Sequence, residues 1–276
     1  MTPPSENITS LFQLIEKIHT RENSFFWQEN KIPQTLWFRG HKNHTYTLLP
    51  SLYRKMEGNN PKTDMRNKEL ALLEEFATKN YFRFPYKLPE NQFLWMSIMQ
   101  HYGVSTRFLD WSEALIPSLF FALEEFFLDR NIETTEIPCI WILDPFAINK
   151  AFIETNKKIN HVGNTIKQNL IPSILSNLYN EIENMTHPLA MISPYNSERI
   201  AAQSGSFVLF PGMINLSPIK FRLEILPNSH FFLRKFLLIK PKQITNELKI
   251  LGIRRSMFYP EMASTSKEIE EYILKR

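Results

Sequence analysis

Residues 100–111 read Gln-His-Tyr-Gly-Val-Ser-Thr-Arg-Phe-Leu-Asp-Trp, so imidazole, hydroxyl, guanidinium and carboxylate groups crowd around one glycine. The apolar spacing before this stretch, over 91–102, and after it, over 111–129, is typical of amphipathic helices. A polar loop between two helices is a favoured place for function, because rigid elements hold its side chains in position. We therefore expect this loop to form part of a functional site.

Asp110 begins an Asp-Trp-Ser-Glu run, which is the pattern of a capping box at the start of a helix. The pattern predicts that the Asp110 side chain caps the helix over 111–129, with Trp111 as an apolar wedge. Three other polar residues of the loop have no such structural explanation, so we predict that they contact a ligand: His101, Thr106 and Arg107.

A second group of residues, 36–41, reads Leu-Trp-Phe-Arg-Gly-His and is typical of a short β-strand that ends at a glycine. A guanidinium at the end of a strand suits a phosphate or a carboxylate, because its planar fork donates two charge-assisted hydrogen bonds. Gly40 would let such a ligand approach the backbone. The alternative is that Arg39 pairs with an internal carboxylate such as Asp110, and this stretch fits both interpretations equally well.

A third group of residues, 198–207, is a polar turn that leads into an apolar strand. Gly205 permits close approach to that strand. Gln203 and Ser204 either hydrogen-bond to a ligand or close the turn, and both interpretations fit the residue types.

Helical and extended patterns are mixed along the chain, which favours the α+β class. Neither an internal repeat nor a Gly/Ser linker divides the sequence. We therefore predict a single domain with a central, mainly antiparallel sheet flanked by helices. This sheet should bring the three groups of polar residues together.

The composition is that of an ordinary globular protein, with 43% hydrophobic and 22% charged residues among 276. The net charge of +4 is too mild to indicate a dedicated nucleic-acid-binding protein. A single cysteine, Cys139, excludes an internal disulfide and a cysteine-rich zinc site, which fits a reducing compartment. Because no stretch reaches the ~18 apolar residues of a membrane span, we expect a cytoplasmic protein with no membrane partner.

The motifs of several enzyme classes are absent. The chain has no GxxxxGK[ST] or GxGxxG phosphate loop and no GxSxG nucleophile elbow. The spacing of His41, His44 and His101 matches no zinc site, so we predict no metal. Cys139 lies in an apolar strand pattern, which is typical of an inert core thiol.

Several ordered motifs resemble the FRG domain, a family named for its Phe-Arg-Gly motif. They are Trp-Phe-Arg-Gly-His at 37–41, Leu-Leu-Pro-Ser-Leu-Tyr-Arg at 48–54, the run 101–111 with Phe-Phe-Ala-Leu at 120–123, Arg199 with Gln203, Gly205 and Phe207, and a closing pattern at 251–261. Phe108 replaces the more usual Leu. The resemblance implies an FRG-type domain over 35–262. The residue pattern itself predicts an N-terminal helix in 1–34, a C-terminal helix in 263–276 and, in the segment 154–187 rich in Asn, Lys and Ile, a helical insertion.

The layout of Tyr-Gly, Thr-Arg and Leu-Phe-Phe-Ala-Leu-Glu-Glu is also similar to NAD-cleaving toxins of the ADP-ribosyltransferase superfold. This likeness implies that NAD is the substrate, that Glu198 is the catalytic carboxylate, and that His101 and Tyr102 flank the nicotinamide or the ribose. Arg39 would bind the pyrophosphate. The implied cofactor-binding set is completed by Gly40, His41, Thr106, Arg107, Gln203 and Ser204.

Two hypotheses about function follow. In the first, the protein is a bacterial effector of phage defence or of a toxin system, which hydrolyses NAD or transfers ADP-ribose to a protein or nucleic-acid acceptor. In the second, it is a non-catalytic module that binds a nucleotide or a nucleic acid through Arg39, Arg54 and Arg107. Release of nicotinamide from NAD distinguishes the two.

Overall fold

A computed structural model gives the architecture of the chain. The residues that it describes are 3, 5–19, 36–56, 65–83, 92–128, 134–155, 187–192, 197–212, 222–261, 265–266, 269–270 and 273–274. Most of the 154–187 segment, for which we predicted a helical insertion, lies outside this part of the chain. In the C-terminal segment, where we predicted a helix over 263–276, the six described residues are helical.

The centre of the molecule is one mixed sheet, in which the strand order is β1-β7-β4-β2-β3-β6-β5. Each neighbouring pair is antiparallel except β1 and β7, which are parallel. The prediction of an α+β domain with a mainly antiparallel sheet is confirmed. The strands are β1 (Ser5–Ile8), β2 (Trp37–His41), β3 (Phe108–Ser112), β4 (Cys139–Leu143), β5 (Leu189–Ile192), β6 (Gly205–Leu209) and β7 (Leu233–Leu238).

Helices cover the sheet and connect its strands. In the described part of the chain, none of them is long and apolar enough to span a membrane. Their bounds are α1 (Leu11–His19), α2 (Ser51–Met56), α3 (Met65–Asn80), α4 (Gln92–His101), α5 (Leu115–Leu128), α6 (Pro145–Thr155), α7 (Glu198–Ala202) and α8 (Pro241–Ile250), with short 3-10 turns at Tyr81–Arg83, Leu223–Ile225, Ser229–Phe231 and Arg255–Met257.

The sheet has a hydrophobic core on each face, because successive strand residues point to opposite sides. On one face, Trp37, Trp111 and Trp141 pack with residues of α2. On the other face, Phe38 and Ile140 pack with residues of α1, α5 and α8. Burial of each large apolar side chain contributes roughly 1.5–3 kcal/mol. The two cores therefore hold the helices against the two faces of the sheet at its central strands.

The N-terminal segment, for which we predicted a helix in 1–34, contains a strand before its helix. Ser5–Ile8 is a strand, and α1 begins only at Leu11. The strand lies along β7, and its Ile8 side chain is fully buried in the second core. Pairing with an open sheet edge outweighs helical propensity here, because it satisfies the backbone groups and buries Ile8 at once.

The capping box predicted at Asp110 is wrong. Residues 108–112 form β3, which pairs with β6 along its whole length and buries Leu109 and Trp111. A helix cap contributes about 1 kcal/mol, which is less than a strand ladder with two large buried side chains contributes. The helix begins instead at Leu115, and Glu113 accepts a hydrogen bond of 2.5 Å from the Ser206 hydroxyl.

Candidate functional site

The sheet opens between β2 and β3. These strands pair at one position, Phe38 opposite Ser112, although β2 pairs with β4 and β3 with β6 along their full lengths. The antiparallel register would next bring Gly40 opposite Asp110, but the pairing stops before that point. Backbone and side-chain groups at this gap are thus free to face a cavity instead of a neighbouring strand.

A cavity of about 460 Å³ lies at this gap. The size falls within the range of roughly 300–1,000 Å³ that small-molecule sites occupy. All three groups of polar residues contribute to its wall, so the expectation that the sheet brings them together is confirmed. The groups supply Arg39 and Gly40, then Gln100, His101 and Asp110, then Arg199 and Gln203, and Phe121 of α5 and Tyr259 add aromatic surface.

The Arg39 guanidinium crosses the gap between the strands. Its Nε donates to Nε2 of His41 at 3.0 Å, and its Nη1 donates to the backbone carbonyl oxygen of Asp110. The Asp110 carboxylate is 4.0 Å from the same Nη1 and is 61% exposed, which makes this a loose ion pair. Burial lowers the pKa of Arg39, and the charge of Asp110 opposes that shift. Within the described residues Nη2 has no partner, so the fork retains donors for a ligand.

His41 does not line the cavity, although the sequence places it in the cofactor-binding set. Its side chain is buried, and the hydrogen bond from Arg39 occupies Nε2. Burial, together with the charges of Arg39 and Lys235, lowers the pKa of His41 to about 2. A neutral imidazole can accept the Arg39 hydrogen bond, whereas a protonated one cannot. His41 therefore orients Arg39.

The Asp110 carboxylate is hydrogen-bonded to Gln100, in the last turn of α4, and through Gln100 it is linked to Thr106, in the loop between α4 and β3. Nε2 of Gln100 donates to Oδ1 of Asp110, and the Thr106 hydroxyl donates to Oε1 of Gln100. Thr106 was predicted to contact a ligand, but its side chain is fully buried and does not line the cavity. Gln100, which was not predicted as a site residue, does line it.

Aromatic and cationic side chains form another part of the cavity wall. The Arg199 guanidinium lies over the ring of Tyr259 at 5.0 Å, and Arg255 lies over the same ring at 4.7 Å. Nε2 of Gln203 donates to the carbonyl oxygen of Phe258 at 2.9 Å, which fixes the segment that carries Tyr259. Arg199 and Tyr259 lie in two of the motifs that resemble the FRG domain, but no local sequence pattern indicated that either residue belongs to a site.

The comparison with family models identifies one segment of the chain. Residues 34–129 match the model of the FRG domain. An FRG domain is present in this segment. The matched segment includes β2, β3, α4 and α5, and it thus supplies Arg39, Gln100 and Asp110 of the cavity. No curated protein and no solved structure gave a significant match, and no comparison supports the likeness to the ADP-ribosyltransferase superfold.

The motif glycine of the FRG domain serves packing rather than the ligand approach that the sequence suggested. A Cβ atom added at Gly40 would lie 1.9 Å from the carbonyl oxygen of Ser118 and 2.8 Å from the amide nitrogen of Ala122. The space is therefore filled by the backbone of α5. Gly103, in contrast, has φ +82° and ends α4 in the left-handed conformation, which glycine adopts without strain.

Arg107, for which we predicted a ligand site shared with Arg39, does not line the cavity. It is 2% exposed, and its Nε donates to Oε2 of Glu69 at 2.6 Å. Nη1 also donates to the carbonyl oxygen of Phe210 at 2.8 Å. Glu69, on α3, is itself fully buried. The Arg107 guanidinium thus joins α3 to the ends of β3 and β6.

The three predicted catalytic residues are not all at the cavity. His101 lines it, and burial together with the nearby charge of Arg199 lowers its pKa. Tyr102 is 71% exposed and does not line it. Glu198 is exposed at the start of α7, also outside the lining. The carboxylate that does line the cavity is that of Asp110.

The remaining predicted residues are structural. Ser204, with φ +47°, closes the turn between α7 and β6, and its carbonyl oxygen accepts from the Glu113 amide at 2.8 Å. Cys139 is buried in β4, as its apolar strand pattern predicted, and burial raises its pKa to about 12. Among the described residues, no three His, Cys, Asp or Glu side chains gather closely enough to hold a metal ion.

Proposed function

We propose that the FRG domain binds a nucleotide in this cavity, and that it cleaves NAD at the nicotinamide ribose. One observation carries the proposal: two guanidinium groups, a carboxylate and an aromatic wall share a single cavity of about 460 Å³. A nucleotide carries the complementary groups, which are an anionic phosphate, a ribose and a planar base. The first hypothesis from the sequence is thus retained, with a different carboxylate.

Phosphate recognition rests on Arg39 and Arg199. Arg39 is held by two hydrogen bonds to the protein, and among the described residues its Nη2 donors have no partner, so little further ordering is needed when a ligand binds. Arg199 has a ring contact with Tyr259 but no ion pair among the described residues, so its charge is not neutralised there. Each charge-assisted hydrogen bond to a phosphate contributes about 1.5–3 kcal/mol.

The aromatic side chains provide the surface for a base or for the nicotinamide ring. Phe121 and Tyr259 meet edge to face, with ring centroids 5.9 Å apart. Both rings line the cavity, and Trp111 adds part of its wall. Aromatic surfaces favour planar rings because they offer large apolar contact together with electrostatically favourable geometries. They also exclude water from the bond that is to be broken.

The reaction needs one carboxylate. The bond between C1′ of the ribose and the nicotinamide nitrogen breaks, its electron pair stays on that nitrogen, and nicotinamide leaves as a neutral molecule. The ribose is then an oxocarbenium-like cation, which the negative charge of Asp110 would stabilise. Water adds its oxygen to C1′ and loses a proton, which yields ADP-ribose, nicotinamide and one proton. An acceptor hydroxyl or carboxylate in place of water would yield an ADP-ribosylated acceptor.

Nicotinamide release tests this assignment. We expect the intact protein to release nicotinamide from NAD, and Asp110→Asn to reduce the rate about 100-fold or more, as loss of one electrostatic stabiliser of a transition state does. The control is Glu198→Gln, which should keep the wild-type rate because Glu198 lies outside the cavity lining. Chromatographic quantification of nicotinamide gives both rates.

Two results would contradict the assignment. A loss of rate in Glu198→Gln with normal activity in Asp110→Asn would return the catalytic role to Glu198. Binding of NAD without any nicotinamide release would favour the non-catalytic module. A nucleic-acid-binding version of that module has less support, because the buried Arg107 side chain, one of its three proposed contacts, is bound to Glu69.

A further inference from the structure

We propose that Thr106 is a positioning residue, which fixes the Gln100 side-chain amide so that this amide holds the Asp110 carboxylate in one orientation. The inference rests on the proposed function, because it concerns the carboxylate that would act in the cavity. It goes beyond that function by assigning a role to a fully buried side chain that lines no part of the cavity.

The geometry forms a single chain of hydrogen bonds. The backbone N–H of Phe108 donates to the Thr106 hydroxyl oxygen at 3.2 Å. The hydroxyl donates to Oε1 of Gln100, and Nε2 of Gln100 donates to Oδ1 of Asp110. Thr106 lies at the end of the loop after α4, Gln100 within the last turn of that helix, and Asp110 on β3. The chain thus connects the helix, the loop and the strand.

Only one orientation of the Gln100 amide satisfies every group. An ionised carboxylate has no hydrogen to donate, so Asp110 requires the NH₂ group of Gln100. If the amide were rotated by half a turn, its oxygen would face the carboxylate oxygen, and its NH₂ would face the Thr106 hydroxyl. Two acceptors would then be in contact and would repel each other, and the carboxylate would lose its donor. The Thr106 hydroxyl prevents this rotation because it gives Oε1 a donor.

The consequence for Asp110 is that one carboxylate oxygen is bound while the other is available. Oδ1 accepts from Gln100, whereas Oδ2 is 4.0 Å from Nη1 of Arg39. Asp110 is 61% exposed, and an exposed side chain without such a partner would sample several rotamers. Fixing the carboxylate beforehand lowers the cost of placing its charge beside a developing cation.

A matched pair of variants separates this role from a general effect on folding. Thr106→Ser keeps the hydroxyl, whereas Thr106→Val has nearly the same shape and lacks it. The first readout needs neither ligand nor activity: it is the hydrogen-exchange rate of the Gln100 side-chain NH₂ by NMR, with the signal assigned by its loss in Gln100→Met. We expect exchange in Thr106→Val to be faster than in the wild type by about tenfold or more, and Thr106→Ser to match the wild type.

The second readout is the kinetics of nicotinamide release. We expect Thr106→Val to lower kcat about tenfold or more and to leave KM unchanged, because Thr106 does not contact the substrate, and Thr106→Ser to restore kcat. Equal amide exchange in the wild type and Thr106→Val would overturn the inference. If Thr106→Val does not fold, Thr106→Ala takes its place in both readouts. Absence of nicotinamide release from the wild type would refute the proposed function, while amide exchange still decides whether Thr106 orients Gln100.

Discussion

Replacing Glu69 with Gln should lower the free energy of unfolding by about 3–5 kcal/mol, because it leaves the buried Arg107 charge uncompensated. The two carboxylate oxygens of Glu69 accept from the backbone N–H of Arg107 at 2.9 Å and from its Nε at 2.6 Å. Both side chains are almost completely buried, so water cannot solvate the Arg107 guanidinium once the carboxylate charge of Glu69 is lost. Urea denaturation of the wild type and the variant at pH 7 measures the difference.

The control for this prediction lies on the same helix. Glu75 is 64% exposed and pairs with Lys79 one turn later at 2.6 Å. Glu75→Gln should cost no more than about 0.5 kcal/mol, because water and salt screen an exposed pair. If Glu69→Gln unfolds as easily as Glu75→Gln, the Arg107–Glu69 pair does not stabilise the fold, and Arg107 becomes a candidate ligand residue again.

Gly40→Ala should destabilise the FRG domain by about 3 kcal/mol or more, since the new methyl group would overlap the backbone of α5. The nearest atom, the carbonyl oxygen of Ser118, belongs to the main chain of a helix that cannot rotate away as a side chain would. The sheet and α5 would have to separate along β2. Thermal and urea denaturation of purified protein would measure the loss.

Gly103→Ala is the matched comparison for this prediction. A Cβ atom at Gly103 would contact nothing within 4 Å, but its φ of +82° is unfavourable for alanine. The expected cost is about 1–2 kcal/mol, which comes from the backbone alone. A smaller loss for Gly40→Ala than for Gly103→Ala would show that α5 does not depend on the missing side chain at position 40.

The meeting of the three groups of polar residues, 36–41, 100–111 and 198–207, was predictable. Each of them combines a glycine, which is rare in this chain, with several polar side chains, and such stretches are typical of turns and gaps in a sheet. Arg39, Gln203 and the loop that contains His101 were all predicted from their local sequence, and the structure brings them to one cavity. The sheet class followed from the mixed order of helical and extended patterns. Local sequence patterns therefore sufficed for features that depend on one strand, helix or turn at a time.

The roles of individual charged residues were not predictable in the same way. Whether Arg107 binds a ligand or stabilises the fold depends on Glu69, which lies on α3, and no sequence signal relates the two residues. Asp110 fits both a helix cap and a strand, and pairing with β6, nearly 100 residues later, decides in favour of the strand. Tyr259 reaches the cavity from a segment far outside the matched FRG residues.

The most direct test of the nucleotide site is a calorimetric titration of the intact protein with an uncleavable NAD analogue, in which C1′ of the ribose is joined to the nicotinamide ring through carbon, beside the same titration of Arg39→Lys. Lysine keeps the positive charge but loses the planar fork and its hydrogen bond to His41. We expect saturable binding at one site per chain in the wild type, and an affinity lower by about tenfold or more in Arg39→Lys, with nearly the same melting temperature. The account would be contradicted if Arg39→Lys bound the analogue as tightly as the wild type, or if the wild type did not bind the analogue at millimolar concentration.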